Sequence, residues 1–358
     1  MSAAPTNSDE AFPAKWYRKR ADGRLLCELC PRACVLSEGQ RGLCFVRACQ
    51  NHRMVLTTYG RSTGFQIDPI EKKPLNHFYP GSTCLSFGTA GCNLTCTFCQ
   101  NHTISKSREM DILSKTATPV QIADAARRRQ CPSVAYTYND PVIFAEYAID
   151  TAAACKAIGI ASVAVTAGYI CPEPRRDFFA AMDATNIDLK SFSEDFYKRN
   201  CTAKLGAVLD TLRYVAHETS CWLEVTTLLI PGLNDSSQEI DQLSRWMMDN
   251  LGPDVPLHFT AFRPEYRLLS RERTPLATLQ QARRIAKSNG LNYVYVGNIS
   301  DVEGASTTCP ACHKPVIERD RYRILSYALT TDGACQACGT RVPGRFGESP
   351  QIATPRPH

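Results

Sequence analysis

No stretch of eighteen or more apolar residues occurs in the 358-residue chain, which removes a transmembrane helix from consideration. The N-terminus, Met-Ser-Ala-Ala-Pro-Thr-Asn-Ser-Asp-Glu, carries neither the basic n-region nor the apolar h-region of a secretory leader, so a cytoplasmic protein is expected. Strong charge is missing too. The 41 basic and 35 acidic residues leave a net +6, too mild and too evenly spread for a nucleic-acid-binding face. The clusters Arg18-Lys-Arg20 and Arg127-Arg-Arg129 read as solvated surface. The remaining composition, 44% hydrophobic and 21% charged, is that of a globular chain with one or two domains.

Cysteine is not scarce: there are eighteen. Without a leader, and in a chain this long, a secreted disulfide framework is not the reading. Twelve of them fall in or near clusters with ligand spacing, which points to metal in a reducing compartment. Cys84, Cys131, Cys155, Cys171, Cys201 and Cys221 stand singly and read as small buried hydrophobes.

Four zones follow along the chain. Residues 1–78 are cysteine-bearing and low in helical period, and residues 301–343 form a second cysteine-bearing module. Residues 344–358 are expected to be a disordered tail. Between them, residues 79–300 alternate apolar runs with amphipathic stretches. Strands are expected at Thr83–Gly88, Ser133–Tyr138, Ala161–Thr166, Asn186–Leu189, Trp222–Leu229, Pro256–Thr260 and Tyr293–Val296, several of them near-continuous apolar runs as in a parallel sheet. Thr118-Pro119 with Gln121 predicts a capping box with proline at the first helical position, and Thr274-Pro275 predicts a similar start. Asp140-Pro141 opens a further helix, whose buried stripe runs through Phe144, Tyr147, Ala148, Thr151, Ala152 and Cys155. Repeated strand–helix units give an α/β fold, either a doubly wound sheet or a barrel, with function at the carboxyl ends of the strands.

Just after the first of these strands comes Gly91-Cys-Asn-Leu-Thr-Cys-Thr-Phe-Cys-Gln100. A [4Fe–4S] cluster normally takes four cysteines. Three thiolates, Cys92, Cys96 and Cys99, hold only three irons and leave the fourth open to a ligand. An open metal position is where chemistry happens. A zinc knuckle borrowing a ligand such as His102 is the alternative. The C-x3-C-x2-C spacing resembles the radical S-adenosylmethionine (SAM) superfamily. That resemblance implies a partial (β/α)6 barrel and SAM chelating the unique iron. It implies reductive cleavage to a 5′-deoxyadenosyl radical, followed by hydrogen abstraction from a protein, peptide or small molecule.

SAM needs carboxylates for its amino group and ribose, and donors for its carboxylate. The strand ends offer Asn139 and Asp140, Gly168 in Thr166-Ala-Gly168, and Asp188 with Lys190. Glu224 shares a face with Thr226, and His258 shares one with Thr260. By resemblance Phe98 lies against the adenine. Residues 25 to 343 also resemble the radical SAM member of the AmmeMemoRadiSam group, related to pyruvate formate-lyase-activating enzymes. The carrying segments are Cys27-Glu-Leu-Cys-Pro31, Asp68-Pro-Ile-Glu-Lys-Lys-Pro-Leu75, Phe87–Asn93, Tyr136–Pro141, Asp188-Leu-Lys190, Ile230-Pro-Gly-Leu-Asn-Asp235 and Tyr295-Val-Gly-Asn298, with the closing Cys-x-x-Cys pairs. The group shows Glu where this chain has Asp140, and Asn where it has Ala167. The resemblance implies an electron donor such as flavodoxin or ferredoxin. It also implies Memo-like and Ammecr-like proteins or a glycyl-radical protein as partners, and no membrane or nucleic acid.

Two further cysteine sets accompany the loop. Cys309-Pro-Ala-Cys312 and Cys335-Gln-Ala-Cys338 form a zinc-ribbon or rubredoxin-like pair of knuckles for zinc or iron. Cys27, Cys30, Cys34 and Cys44 make a second four-ligand set, with Cys49 to spare, for zinc or an auxiliary iron–sulfur cluster. Were all three sets to bind zinc, the protein would be a non-catalytic scaffold.

Overall fold

The structure, a computed structural model, describes residues 11–108, 113 and 115–347. Its centre is an eight-stranded sheet. The strands are β1 (Phe65–Pro69), β2 (Thr83–Phe87), β3 (Ser133–Tyr136), β4 (Ala161–Thr166), β5 (Ala184–Asp188), β6 (Trp222–Leu229), β7 (Leu257–Ala261) and β8 (Val294–Gly297). From β2 to β8 the strands are parallel and lie side by side in chain order, while β1 pairs antiparallel with β2. The crossover helices are α1 (Pro119–Arg128), α2 (Ala145–Lys156), α3 (Pro172–Ala180), α4 (Leu205–Glu218), α5 (Ser237–Leu251) and α6 (Leu276–Ser288). Because strand order never reverses, right-handed crossovers put every helix on one face, and the sheet is an open, partial barrel. Each of the seven parallel strands expected from apolar runs is present, within about two residues at each end.

Local chemistry explains several elements. Thr118 accepts from Gln121 N while the Gln121 side chain returns to Thr118 N, completing the capping box of α1. Asp140 caps a 3-10 turn, Pro141–Phe144, that leads into α2, and the expected stripe from Phe144 to Cys155 is buried. Thr274 departs from expectation. Its hydroxyl donates to Leu229 O and accepts from Phe262 N, so it ties two strand ends together, and α6 starts without a side-chain cap.

Inside the curve, opposite the helices, the chain fills its own barrel. Residues 70–79 enter as a plug, with Ile70, Leu75 and Phe78 packed on Ala135, Val163 and Ala184. The motif Asp68–Leu75 builds the plug's entry. Asp68 accepts from Lys72 Nζ and Lys73 Nζ at 2.7 Å each and from Tyr138 OH at 2.8 Å. The C-terminal module, a three-stranded antiparallel sheet, packs on Tyr293 and Tyr295 next to and within β8. Arg319, fully buried, reaches from that module to Asn76 O of the plug at 2.8 Å. Of the expected tail, Arg345 exchanges backbone bonds with the plug, pairing with His77 and Tyr79, and Phe346 is buried. Residues 348–358 lie outside the described residues. Among the described residues no helix is long and apolar enough to cross a membrane.

Candidate active site

The loop after β2 reaches its position through two glycines. A Cβ on Gly88 would stand 2.3 Å from Thr137 O, and one on Gly91 (φ +80°) would stand 2.0 Å from Cys44 O. Asn139, at the end of β3, then fastens the loop. Its amide donates to Thr89 Oγ1 (3.1 Å) and Gly91 O (2.9 Å), and its oxygen accepts from Thr89 N (3.1 Å). Cys92, Cys96 and Cys99 follow. Cys96 is buried, while Cys92 and Cys99 are partly so.

Burial pushes the Cys92 thiol up to about 12, with the Asp140 carboxylate adding to the shift. Cys96 is driven the other way, by a hydrogen bond from Cys201 and then by the ammonium groups of Lys190 and Lys106. Lys106 is anchored by Leu94 O at 2.8 Å. Beside the loop opens a cavity of about 220 Å3 lined by Cys92, Lys106, Arg108, Tyr266 and Arg267 among others.

Next to the cysteines stand the acids of β3 and β5. Asp140 is buried, and its carboxylate accepts from Thr166 Oγ1 (2.8 Å), Val142 N (3.1 Å) and Ala167 N (3.2 Å). Desolvation raises its pKa against those bonds. Lys190 Nζ meets Asp188 Oδ2 at 2.5 Å. Burial works against the lysine's charge, but Asp188 and Cys96 outweigh it and raise its pKa. Across from Asp188 in register lies Thr226, whose hydroxyl is buried and without a hydrogen-bond partner. Phe98 is buried with its ring 5.6 Å from that of Phe196. Gly168 (φ +65°) turns the loop after β4, where a Cβ would meet Ile187 Cγ2 at 2.9 Å.

Glu224 and His258 occupy another layer of the interior. The Glu224 carboxylate accepts from Asn76 N (2.9 Å), His77 N (2.8 Å), Trp222 Nε1 (3.0 Å) and His258 Nε2 (2.6 Å), so protein donors take both oxygens. Sequence reasoning saw the shared faces of these strands. It had no signal that residues 70–79 would fold back to meet them.

It also gave no site role to three groups at the loop: Cys201, Lys106 and Tyr197, whose hydroxyl accepts from Lys190 N at 2.9 Å. Cys201 ends a π-helical turn, Tyr197–Cys201, and its carbonyl accepts from Thr95 N at 3.1 Å. Such turns concentrate at functional sites, but their marks are invisible in composition.

The three cysteine sets differ in geometry. Cys309, Cys312, Cys335 and Cys338 place their ligand atoms within 4.8 Å of one another. Two of the Sγ–Sγ separations are 3.6 and 3.8 Å, matching the ~3.8 Å edge of a zinc–thiolate tetrahedron with ~2.3 Å bonds. Among the described residues no other set of three His, Cys, Asp or Glu is so gathered. His102 does not join the loop cysteines in such a group, and it faces Glu265 (3.6 Å) and stacks on Tyr266. Spread thiols suit a cubane, in which each sulfur stands off a different iron. With the orphaned Thr226 hydroxyl and the buried Asp140 carboxylate beside them, the residues fit a cluster that binds a polar cofactor.

Residues 87–244 match the radical SAM superfamily. An uncharacterized protein of Methanocaldococcus jannaschii is 39% identical over 331 residues, covering 92% of this chain and 98% of that protein. Among solved structures, a domain of a pyruvate-formate lyase-activating enzyme from Bacteroides vulgatus is 20% identical, over 46% of this chain and 98% of its own, with a TM-score of 0.41. A radical SAM methyltransferase from Sphaerobacter thermophilus is 17% identical, over 62% of this chain and 68% of its own, with a TM-score of 0.48. The loop, its setting at the first parallel strand and the superfamily match converge on residues 87–244, a radical SAM domain within this chain.

Proposed function

We propose that this protein is a radical SAM enzyme that cleaves SAM reductively and abstracts a hydrogen atom from a protein, peptide or small molecule. Activation of a glycyl-radical protein is one such reaction. The observation that carries the reading is the loop of three spread thiols, pinned by Asn139 at the strand ends beside Asp140 and the Asp188–Lys190 pair. When bound, the cluster would supply an electron, and SAM the C5′–S bond that accepts it and breaks.

The chain's own residues supply the container. Cys92, Cys96 and Cys99 hold three irons, and Lys190 and Lys106 offset the negative charge gathered at Cys96. Asp140 offers a carboxylate already desolvated, which strengthens its attraction for an ammonium group. Asp188, paired with Lys190, and the unpartnered Thr226 hydroxyl provide hydrogen-bonding groups one strand apart. Phe98 adds an apolar wall. The plug and its Glu224–His258 frame close the barrel from the other side. The electron must come from a low-potential one-electron donor such as flavodoxin or ferredoxin.

The test is product formation. Anaerobically reconstituted protein with excess reductant is expected to release 5′-deoxyadenosine from SAM, and alanine at any of Cys92, Cys96 or Cys99 is expected to abolish it. Unchanged release by such a variant contradicts the proposal.

A further inference from the structure

We propose that Cys27, Cys30, Cys34 and Cys44 hold a second [4Fe–4S] cluster, ligated by all four thiolates and independent of the SAM-cleaving loop. The four side chains line one chamber, together with Leu29, Leu36, Gly42, Arg47, Asn93 and Ile143. Cys34 Sγ and Cys44 Sγ both lie 3.7 Å from where a Cβ on Gly42 would stand, so glycine keeps the space between them clear of a side chain.

What selects the metal is the spread of the sulfurs. A single tetrahedral ion draws its thiolates to ~3.8 Å of each other, close to the 3.6 and 3.8 Å found in the Cys309 set. The N-terminal four contain no three ligand atoms within 4.8 Å of one another, a trait they share with the loop cysteines. They line a common space without the close gathering that a single ion imposes.

Arg47 gives an independent sign. Its side chain is only 1% exposed, with Nη2 on Glu146 and Nη1 on Lys15 O, while Nε has no hydrogen-bond partner. A buried guanidinium N–H at the wall of the chamber lacks an acceptor, and leaving such a donor unpaired is costly. The sulfurs of an anionic cluster supply the acceptor and the opposing charge. Leu29, Leu36 and Ile143 give the chamber apolar walls, which limit water and protect such a centre.

The decisive protein is full-length Cys92→Ala/Cys96→Ala/Cys99→Ala, reconstituted anaerobically with iron and sulfide and assayed for iron, sulfide, zinc and its reduced paramagnetic spectrum. It is expected to keep about four irons and four sulfides per chain, against about eight of each in the parent, with a spectrum that SAM does not alter. Near-zero iron in this variant overturns the proposal, as does a second equivalent of zinc in place of iron. The complementary Cys27→Ser/Cys30→Ser/Cys34→Ser/Cys44→Ser protein is expected to lose half the iron and keep a SAM-responsive signal. Its retained C-terminal metal reports that it has folded. Failure of the radical SAM reading shows separately, as a Ser variant with no SAM-responsive iron. If the Ser variant does not fold, the loop variant alone decides.

Discussion

Replacing Asn139 by alanine removes the fastening of the cluster loop without touching a cysteine. The amide satisfies Thr89 N at 3.1 Å and Gly91 O at 2.9 Å, both on buried residues. Each buried backbone group left unpaired costs ~1–3 kcal/mol, so the cysteine-ready loop becomes less favourable by about 4 kcal/mol. That is roughly a thousandfold at ~1.4 kcal/mol per decade, and it falls on the loop's affinity for iron. Competition with an iron chelator under anaerobic conditions is the assay, with 5′-deoxyadenosine formation counted per iron retained. The loop iron is expected to leave at least a hundredfold more readily, while the fraction that stays cleaves SAM normally. Full iron retention with weakened SAM binding would refute the reasoning, because Asn139 would then act on SAM directly.

Four other outcomes are expected. Glu146→Gln places an amide against either Lys15 N or Arg47 Nη2 in a pair whose side chains are both 1% exposed, so urea unfolding should show a loss of ~3–5 kcal/mol; a change under 1 kcal/mol denies that this pair clamps the N-terminal module to α2. Burial holds the His77 ring down at about 4, against an ordinary 6.5. The unfolded chain therefore takes up its proton first, and stability is full above pH 6.5 and falls as the pH drops from 6.5 towards 4. Between pH 7.5 and 5.5 the parent should lose about 1 kcal/mol more than His77→Gln does, and equal slopes contradict a neutral, buried His77. Cys309→Ser/Cys335→Ser should release one zinc per chain and leave iron unchanged; a parallel loss of iron makes that module an iron site. Asp140→Asn should weaken SAM binding by ~10- to 100-fold, the worth of a hydrogen bond to a charged group, at constant iron content, read from the SAM dependence of product formation.

The sheet was legible because parallel strands covered on both faces are mostly apolar, as Ala161–Thr166 and Trp222–Leu229 are. The loop was legible because thiolate spacing is local chemistry. What escaped is long-range. Glu224 shows its strand face in the sequence, but the 148-residue separation from Asn76 hides what meets it. Thr274 has the side chain of a cap, and only the fold reveals that Leu229 O and Phe262 N claim it first. The Asp68–Leu75 motif was visible as a pattern with no evident task, until the structure showed Asp68 gripping two lysines at the mouth of the plug. Cys201 gave no motif at all, since its approach to Cys96 depends on a π-helical turn more than a hundred residues downstream.

The most direct measurement of the central claim is the paramagnetic spectrum of the reduced protein as SAM is added under anaerobic conditions. The account predicts a [4Fe–4S] signal whose g-values shift on SAM binding and whose SAM response disappears in Cys99→Ala. Zinc in the loop with no SAM-dependent signal would contradict it.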